Sequence, residues 1–283
     1  MSGGDAKGGS VGSGGPRSRF FDHHVHSDRS DGRVSLEGRA RTVAIRPHGI
    51  SDHFPYRDRL RTDDDVLRYL DDAARLGLRV GIEYDLGVAP PLRASTVAAL
   101  DYMIGSVHQV FLDGQRVGFD GAGAYLKGQR GTGPFPDAAT FADEALQRRI
   151  LDATLDLVRA GAETVGIDIL GHPTMSPMAA LGDPDAALPL EWQERLIELC
   201  RRFGVAIEVN ESYGVPHRAF LERARDRGAV FSVGSDTHGE IAPLDRTEAM
   251  IAAAGLDRER FLDGRGGTPY PGRDQVGSVA NNS

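Results

Sequence analysis

Short runs rich in apolar and β-branched residues alternate along this chain with longer stretches in which apolar positions recur every three or four residues. The first pattern predicts β-strands, and the second predicts amphipathic α-helices. Seven strands are predicted, at residues 20–25, 49–52, 79–84, 102–107, 165–170, 206–210 and 230–235. Six helices are predicted, at residues 36–45, 63–76, 141–160, 190–203, 219–227 and 244–254. Residues 87–100, which contain a Pro-Pro pair, give the weakest helical pattern.

Three helix ends carry capping signals. Thr62 is predicted to cap the N-terminus of a helix, and Asp65, three positions later, stands where a capping box has its second acidic or amide residue. Gly161 and Gly204 follow predicted helices, at positions where a left-handed C-terminal cap is favoured.

The alternation of strands and helices predicts the fold class. Strand–helix–strand units place their strands in parallel, and about seven such units indicate an α/β fold with a closed or nearly closed barrel. In a barrel of this kind the carboxyl ends of the strands meet at one face. Polar motifs end six of the seven predicted strands, so residues far apart in the chain are expected to converge there.

The length of 283 residues allows one substantial core, and no stretch resembles an interdomain linker. We therefore predict a single barrel domain at residues 19–262. The glycine-rich residues 1–18 contain no apolar run, so they are expected to be a flexible leader rather than a signal peptide. The polar residues 263–283 are expected to be a loosely ordered tail.

Composition narrows the classes of function. The net charge of −8 and the isoelectric point near 5.6 argue against general electrostatic binding to nucleic-acid backbones. No apolar run is long enough to predict a membrane span. A single cysteine, Cys200, rules out an internal disulfide and favours a cytoplasmic location. Cys200 lies on the apolar stripe of a predicted helix and is expected to pack in the core.

Histidines and carboxylates are concentrated where predicted strands end. Six of the nine histidines fall in the motifs His24-Val25-His26, Asp52-His53, Ser106-Val107-His108, Gly171-His172-Pro173 and Asp236-Thr237-His238. Glu83 interrupts a predicted strand in the same kind of place, and Asp31 closely follows the first motif. Imidazoles and carboxylates bind divalent metals, and a cluster of this size can hold more than one ion.

Each candidate ligand also has a simpler interpretation. A histidine such as His108 or His172, taken singly, more often makes a structural hydrogen bond than binds a metal. Asp31 alone is typical of a turn, and Glu83 alone is compatible with a strand-end charge that faces solvent. Their shared position at strand ends favours one joint metal site.

Four other polar residues have less specific expectations. Asp52 is expected either to assist metal binding or to orient a ligand from behind. The remaining histidines outside the motifs are expected to be structural or exposed: His23, His48 and His217.

With these motifs in this order, the chain resembles the polymerase and histidinol phosphatase (PHP) family. The matching segments are Asp22-His23-His24-Val25-His26-Ser27 with Ser30-Asp31-Gly32, Ile50-Ser51-Asp52-His53, Gly81-Ile82-Glu83, Ile104-Gly105-Ser106-Val107-His108, Asp168-Ile169-Leu170-Gly171-His172-Pro173 and Gly234-Ser235-Asp236-Thr237-His238. The resemblance spans nearly the whole predicted domain. It implies a distorted, TIM-like (β/α)7 barrel with two or three divalent ions (zinc, manganese or iron) at the carboxyl ends of the strands.

The resemblance also implies which residues hold each ion. The implied ligands of the first ion are His24, His26, Glu83 and Asp236. Those of the second ion are Glu83, His108 and His172, so that Glu83 bridges the two. Those of the third ion are Asp31, His53 and His238, with Asp31 at a position where some relatives have histidine.

Residues 102–108, followed by Gly118-Phe119-Asp120, are most similar to the histidinol-phosphatase branch of the family. This implies a hydrolase, a metal-dependent phosphomonoesterase acting on a small phosphorylated metabolite such as histidinol phosphate. Glu83 would then bridge the ions that activate water, while Asp236 and His238 assist the leaving alcohol.

The candidate phosphate-binding cations are Arg57, Lys127 and Arg130. Histidinol phosphatases of this type tend to carry basic residues soon after the Gly-His-Pro motif. Here no arginine or lysine occurs between Pro173 and Glu191. The substrate is therefore less firmly implied than the reaction class.

Three alternatives stay open. The same site is compatible with a phosphodiesterase or exonuclease acting on nucleotides or nucleic-acid 3′ ends, although the acidic composition disfavours it. A non-catalytic barrel is a second alternative, although such sites usually lose ligands. A hydrolase of C–N bonds is a third, but it would usually need a lysine or carbonate bridge, and no lysine ends a predicted strand.

Overall fold

The computed structural model describes residues 20–119, 121–122 and 141–263. The predicted leader and tail, with Lys127 and Arg130, lie outside the described residues, apart from Asp263 at the start of the tail. Among the described residues, no helix combines the length and apolar character that crossing a bilayer requires.

Six parallel strands form the main sheet. They are β1 (Ile50–Phe54), β2 (Val80–Asp85), β3 (Tyr102–Ser106), β6 (Ile169–Leu170), β7 (Ala206–Asn210) and β8 (Phe231–Gly234). Their order in the sheet is β1-β2-β3-β6-β7-β8. Nearly every strand residue is buried, as expected for a parallel sheet covered on both faces. The α/β class and the parallel sheet are therefore confirmed.

The first predicted strand, at residues 20–25, is wrong as a regular strand. This segment forms only isolated bridges, from Asp22 to His48 and Val233 and from Val25 to Thr237. The reason is that side-chain oxygens accept hydrogen bonds from backbone N–H groups of this segment. A regular strand would use those N–H groups to pair with its neighbour. His24 N donates to the Asp22 carboxylate at 3.2 Å, and Val25 N donates to the Ser51 hydroxyl at 3.3 Å.

The same segment nevertheless connects the two edges of the sheet. On the β1 side, Ser51 N donates to the carbonyl of Val25 at 2.9 Å. On the β8 side, His23 N donates to the carbonyl of Val233 at 2.9 Å, and Asp236 N donates to the carbonyl of His24 at 2.7 Å. Residues 22–25 thus lie between the first and last strands of the sheet. The closed seven-unit barrel stays a prediction.

A hairpin follows β3 and was not predicted. Strands β4 (Gln109–Leu112) and β5 (Gln115–Gly118) pair antiparallel immediately after His108. The turn between them places Asp113 and Gly114 at positive φ, which glycine and aspartate tolerate best.

Eight α-helices lie wholly within the described residues. They are α1 (Leu36–Thr42), α2 (Asp63–Ala74), α3 (Ala94–Ala99), α4 (Glu144–Ala160), α5 (Pro184–Ala187), α6 (Leu190–Phe203), α7 (Arg218–Asp226) and α8 (Asp245–Ala254). The six strongly predicted helices are all present, and α3 occupies the weak segment. The capping box of Thr62 and Asp65 at the start of α2 is confirmed in both directions.

The predicted cap at Gly161 is wrong, whereas Gly204 is left-handed as expected. Gly161 keeps helical dihedral angles, and the chain continues as a π-helical turn over Gly161–Val165. Gly166 then takes the left-handed conformation, at φ +79°. This turn shortens the strand predicted at 165–170 to the two residues of β6. Gly161 serves packing instead, since an added Cβ would lie 2.6 Å from the Leu86 side chain.

Cys200 packs on α6 in the core, as predicted, with no solvent exposure. Burial raises the pKa of its thiol to about 12, so only about one thiol in ten thousand is ionised at pH 8. We expect no alkylation by iodoacetamide in the native protein and a single adduct in denaturant, measured by intact mass. Rapid native alkylation would contradict the position of α6 in the core.

Candidate metal centre

The candidate ligands lie at the carboxyl ends of the parallel strands. His53 and Glu83 are direct register partners on β1 and β2, so their side chains project to the same side of the sheet. His108 and His172 each follow a strand end by two residues, β3 and β6 respectively. The motif after β8 supplies Asp236 and His238. The topology therefore converts distant sequence motifs into neighbours.

Glu83 lies at the centre of this cluster and is 1% exposed. Its Oε2 atom is 2.7 Å from His53 Nδ1, 3.3 Å from His24 Nε2 and 3.6 Å from His26 Nε2. Its Oε1 atom faces other imidazoles, 3.0 Å from His172 Nε2 and 3.2 Å from His108 Nε2. The two oxygens of one carboxylate thus lie close to two separate groups of histidines.

Asp31 organises a further group at the more exposed side of the cluster. Its Oδ1 atom lies 3.2 Å from His238 Nε2, 3.5 Å from His53 Nε2 and 3.9 Å from His26 Nδ1. Asp31 is 37% exposed, whereas the Glu83 carboxylate is enclosed. Solvent therefore reaches the cluster from the side of Asp31.

Asp236 connects these groups. Its Oδ1 atom lies 3.2 Å from His26 Nε2, 3.7 Å from His238 Nδ1 and 3.9 Å from His24 Nε2. All nine predicted ligands consequently belong to one contiguous cluster: His24, His26, Asp31, His53, Glu83, His108, His172, Asp236 and His238.

Among the described residues, three sets of ligand atoms lie close enough together to surround an ion, with every pair within 4.8 Å. These sets are His26-Asp31-His53-His238, His24-His26-Glu83 and His53-Glu83-His108. They follow the three predicted groups with two differences. His26 and His53 are each shared between sets, and Asp236 and His172 stand beside the sets rather than in them.

The residues fit divalent metal binding by their chemistry and by their burial. Imidazole nitrogens and carboxylate oxygens suit zinc, manganese and iron. His24 Nε2 and Glu83 Oε2 are both buried and 3.3 Å apart, and neither has a partner in hydrogen-bond geometry among the described residues, although His53 Nδ1 lies 2.7 Å from the same oxygen. Buried polar atoms without hydrogen bonds are costly, so a pair that faces each other in this way suits a shared cation.

The electrostatics of the cluster favour charged carboxylates. Burial would raise the pKa of Glu83, but His53, His24 and His108 outweigh it and hold that pKa well below its usual range. Burial likewise opposes charge on His108, but the carboxylates of Glu83 and Asp85 raise its pKa to about 9. The carboxylate at the centre is thus ionised at neutral pH, and a divalent ion that bound there would take the place of protons on the surrounding imidazoles.

His26 differs from its neighbours because burial and the nearby His53 lower its pKa to about 4. Its imidazole is therefore neutral near pH 7 and offers a lone pair without competition from a proton. The pKa of Asp236 is lowered despite burial, chiefly by His24 and His26. A neutral imidazole beside ionised carboxylates is the protonation state that divalent metals require.

Backbone strain is concentrated at the same place. His172 has φ +26° and Asp236 has φ +52°, both in a region that residues other than glycine seldom adopt. The backbone N–H of each is held by a buried acceptor, a carboxylate of β7 for His172 and the carbonyl of His24 for Asp236. Strain of this kind persists only where surrounding contacts enforce it, and it accumulates at functional sites.

Asp52 does not face the cluster. Its contacts match one of the two roles expected for it, that of orienting a ligand from behind. Its carboxylate accepts hydrogen bonds from the backbone and hydroxyl of Ser27, at 2.8 and 2.6 Å. It also accepts from the backbone and hydroxyl of Ser30, at 3.1 and 2.5 Å. Asp52 therefore fixes the loop that carries Asp31.

Sequence analysis missed Glu208, which lies in β7 with no solvent exposure. Its Oε1 atom is 2.7 Å from His24 Nδ1, and its Oε2 atom accepts a hydrogen bond from His172 N at 2.6 Å. The available signal was a lone carboxylate in the apolar run Ala-Ile-Glu-Val. It went unused because no histidine follows this strand. Tyr213, whose ring meets that of His172 edge-on at 5.4 Å, was missed as well.

Of the predicted phosphate-binding residues, only Arg57 can be placed. Its guanidinium lies 5.3 Å from the ring centre of Tyr56, which in turn stacks on His53 at 6.2 Å. Arg57 is exposed, and Tyr56 lies between it and His53 in this chain of ring contacts. Among the histidines expected to be structural or exposed, His23 and His48 are buried and His217 is partly buried.

Protein-family models and curated proteins give no match to this chain. Solved structures do match it. One is histidinol phosphate phosphatase from Lactococcus lactis subsp. lactis Il1403, complexed with zinc, L-histidinol and phosphate. The TM-score is 0.54 at 16% sequence identity, over 87% of this chain and 97% of that chain.

A second match is a candidate histidinol phosphatase from Listeria monocytogenes, with a TM-score of 0.52 at 13% identity. It covers 77% of this chain and 95% of that chain. At these identities the likeness shows a shared fold.

Proposed function

We propose that this protein is a metal-dependent phosphomonoesterase that hydrolyses a small phosphorylated metabolite. The observation that carries the proposal is the Glu83 carboxylate, whose two oxygens face two separate histidine groups in a buried site. A carboxylate so placed would hold two divalent ions at once, as carboxylates do in two-metal phosphatases. The likeness in fold to histidinol phosphatases supports the same class.

The contacts favour an assignment of ligands to two or three ions. We assign His24, His26, Glu83 and Asp236 to one ion, and Glu83, His108 and His172 to a second. We assign Asp31, His53 and His238 to a third. The zinc complexed with the Lactococcus lactis protein makes zinc a natural first choice, with manganese and iron as alternatives. In this proposal the sheet and the segment at residues 22–25 together make the distorted barrel.

When bound, divalent ions supply Lewis-acid activation of water and neutralise charge on the phosphoryl oxygens. The chain's own residues do the rest. We propose that Asp236 and His238, with Oδ1 and Nδ1 3.7 Å apart, hold a proton for the leaving alcohol. We propose that Arg57, an exposed residue beside Tyr56, binds a phosphoryl oxygen as a positive charge.

Two observations bear on the substrate. The net charge of −8 disfavours nucleic acid, so the phosphodiesterase alternative is the weaker one. The Lactococcus lactis protein was complexed with L-histidinol and phosphate, which makes histidinol phosphate the first substrate to test. The lack of a cation between Pro173 and Glu191 means that this chain must bind the phosphate with other groups.

The activity test is phosphate release by protein loaded with Mn²⁺ or Zn²⁺. We expect turnover of L-histidinol phosphate with kcat/KM above about 10⁴ M⁻¹s⁻¹, the lower range for specific enzymes. Aryl and sugar phosphates under the same conditions should be turned over more slowly.

The controls separate the class of reaction from the substrate. Even, weak turnover of every phosphomonoester would support the phosphatase chemistry and overturn histidinol phosphate as the substrate. Faster digestion of a labelled oligonucleotide than of any monoester would favour the phosphodiesterase. Bound metal without turnover of any phosphoester would contradict the enzymatic proposal.

A further inference from the structure

Glu208 is a fully buried carboxylate at the back of the metal centre. It lies in β7, opposite Ser232 of β8. The neighbouring Gly234 leaves it room, because an added Cβ there would lie 1.9 Å from Glu208 Oε1 and 2.7 Å from His24 Cβ. A carboxylate is costly to bury unless its oxygens are well bonded, so the partners of Glu208 indicate what it does.

One oxygen of Glu208 holds the ring of His24. Oε1 lies 2.7 Å from Nδ1, while Nε2 at the other side of the ring lies 3.3 Å from Glu83 Oε2. A carboxylate accepts but does not donate, so this contact places the proton of the neutral imidazole on Nδ1. The lone pair is then on Nε2, the atom that faces Glu83.

The other oxygen of Glu208 holds the backbone of His172. Oε2 accepts a hydrogen bond from His172 N at 2.6 Å and another from Asn210 Nδ2 at 2.9 Å. Within the described part of the chain, His172 Nδ1 makes no hydrogen bond. Apart from the contact of Nε2 with Glu83 at 3.0 Å, the direction of this ring is set by its backbone, which has φ +26° and needs a strong acceptor to keep it there.

Glu208 thus contacts both histidine groups from behind, as Glu83 does from within. The group at Glu83 Oε2 contains His24, and the group at Glu83 Oε1 contains His172. A rigid carboxylate with one oxygen committed to each group ties the geometry of one to the geometry of the other.

We propose that Glu208 is a positioning residue that couples the two metal subsites sharing Glu83, by fixing the tautomer of His24 and the backbone of His172. This inference rests on the metal centre proposed above. It implies that loss of Glu208 weakens both of these subsites together. The group of Asp31, His53 and His238, which Glu208 does not contact, should keep its affinity.

The substitution that tests the coupling is Glu208→Gln, which keeps the shape of the side chain. The amide has one acceptor oxygen, so it can accept from His24 Nδ1 or from His172 N but not from both. Its NH2 group then either faces the N–H of His172 or forces the proton of His24 onto Nε2. We expect zinc affinity at two subsites to fall by about 10- to 100-fold, the usual cost of losing such an orienting contact. Competition against a chromophoric chelator measures affinity and stoichiometry.

The matched control is Glu211→Gln, at the residue that directly follows the same strand. The Glu211 carboxylate accepts from Arg246 N at 3.1 Å and Thr247 N at 2.6 Å at the start of α8, so the variant loses a comparable acceptor away from the cluster. Its zinc affinity should equal that of the wild type. Equal zinc affinity and stoichiometry in Glu208→Gln and the wild type would overturn the coupling.

A second measurement uses only the wild-type protein, so it does not depend on whether a variant folds. In zinc-loaded wild-type protein, long-range ¹H–¹⁵N correlation spectra should show the His24 proton on Nδ1 and none on Nε2. A proton on Nε2 would overturn the inference. Wild-type protein that binds zinc yet hydrolyses no phosphoester would overturn the proposed function alone, whereas wild-type protein that binds no zinc would overturn both.

Discussion

Glu83→Gln is expected to abolish the metal-dependent activity and to remove at least one ion from the purified protein. The amide retains the volume of the side chain but has one acceptor, whereas the carboxylate faces histidines with both oxygens. Metal ions contribute several kcal/mol of transition-state stabilisation, which corresponds to a loss of about 1000-fold or more in kcat/KM. Elemental analysis of dialysed protein gives the metal content, and phosphate release gives the rate.

Glu163→Gln is a suitable control for this experiment. Glu163 is exposed on the π-helical turn, at the opposite end of β6 from the cluster. This variant should keep wild-type metal content and activity. A Glu83→Gln protein with unchanged metal content and activity would contradict the bridging role.

The second large effect is expected on stability, from the buried pair of Asp22 and Arg46. Arg46 Nη2 lies 2.6 Å from Asp22 Oδ2, and the two residues are 4% and 0% exposed. Removing one partner leaves an uncompensated charge in the interior, which costs about 3–5 kcal/mol. We therefore expect Arg46→Ala to lower the free energy of unfolding by this amount, measured by urea denaturation in the presence of a chelator.

Two further variants test the reason for that effect. The double variant Asp22→Asn, Arg46→Met removes both charges and should be less destabilised than Arg46→Ala. Arg68→Ala removes an arginine that is 69% exposed beside Asp65, and should change stability by less than about 1 kcal/mol. Equal effects of Arg46→Ala and Arg68→Ala would mean that the buried pair contributes no more than a surface one.

The sequence was sufficient to predict most helices, five of the six sheet strands closely, and the convergence of the candidate ligands. Those predictions rest on periodicity and on a topological rule, both of which are local or general. Glu83 illustrates this: a carboxylate that interrupts an apolar strand is visible without knowing what surrounds it. The sharing of its two oxygens between histidine groups depends on the register of β1, β2 and β3, which periodicity does not specify.

The missed features depend on contacts between distant segments. Glu208 and His24 are 184 positions apart, so nothing near Glu208 in sequence indicates its partner. The irregular first segment has a similar cause, because the Ser51 hydroxyl takes a backbone N–H that a strand ladder would use. Gly161 packs against Leu86 and keeps helical dihedral angles at the start of the π-helical turn, whereas the sequence suggested an ordinary cap.

The position of residues 22–25 between the first and last strands has a consequence for how the protein is made. His26 lies 3.2 Å from Asp236, 210 positions later in the chain, and His24 is joined by hydrogen bonds to the same strand end. During translation, His24 and His26 leave the ribosome long before their partners exist. A growing chain therefore cannot assemble the full set of ligands until His238 has been synthesised, and a product truncated before that residue would carry an incomplete centre.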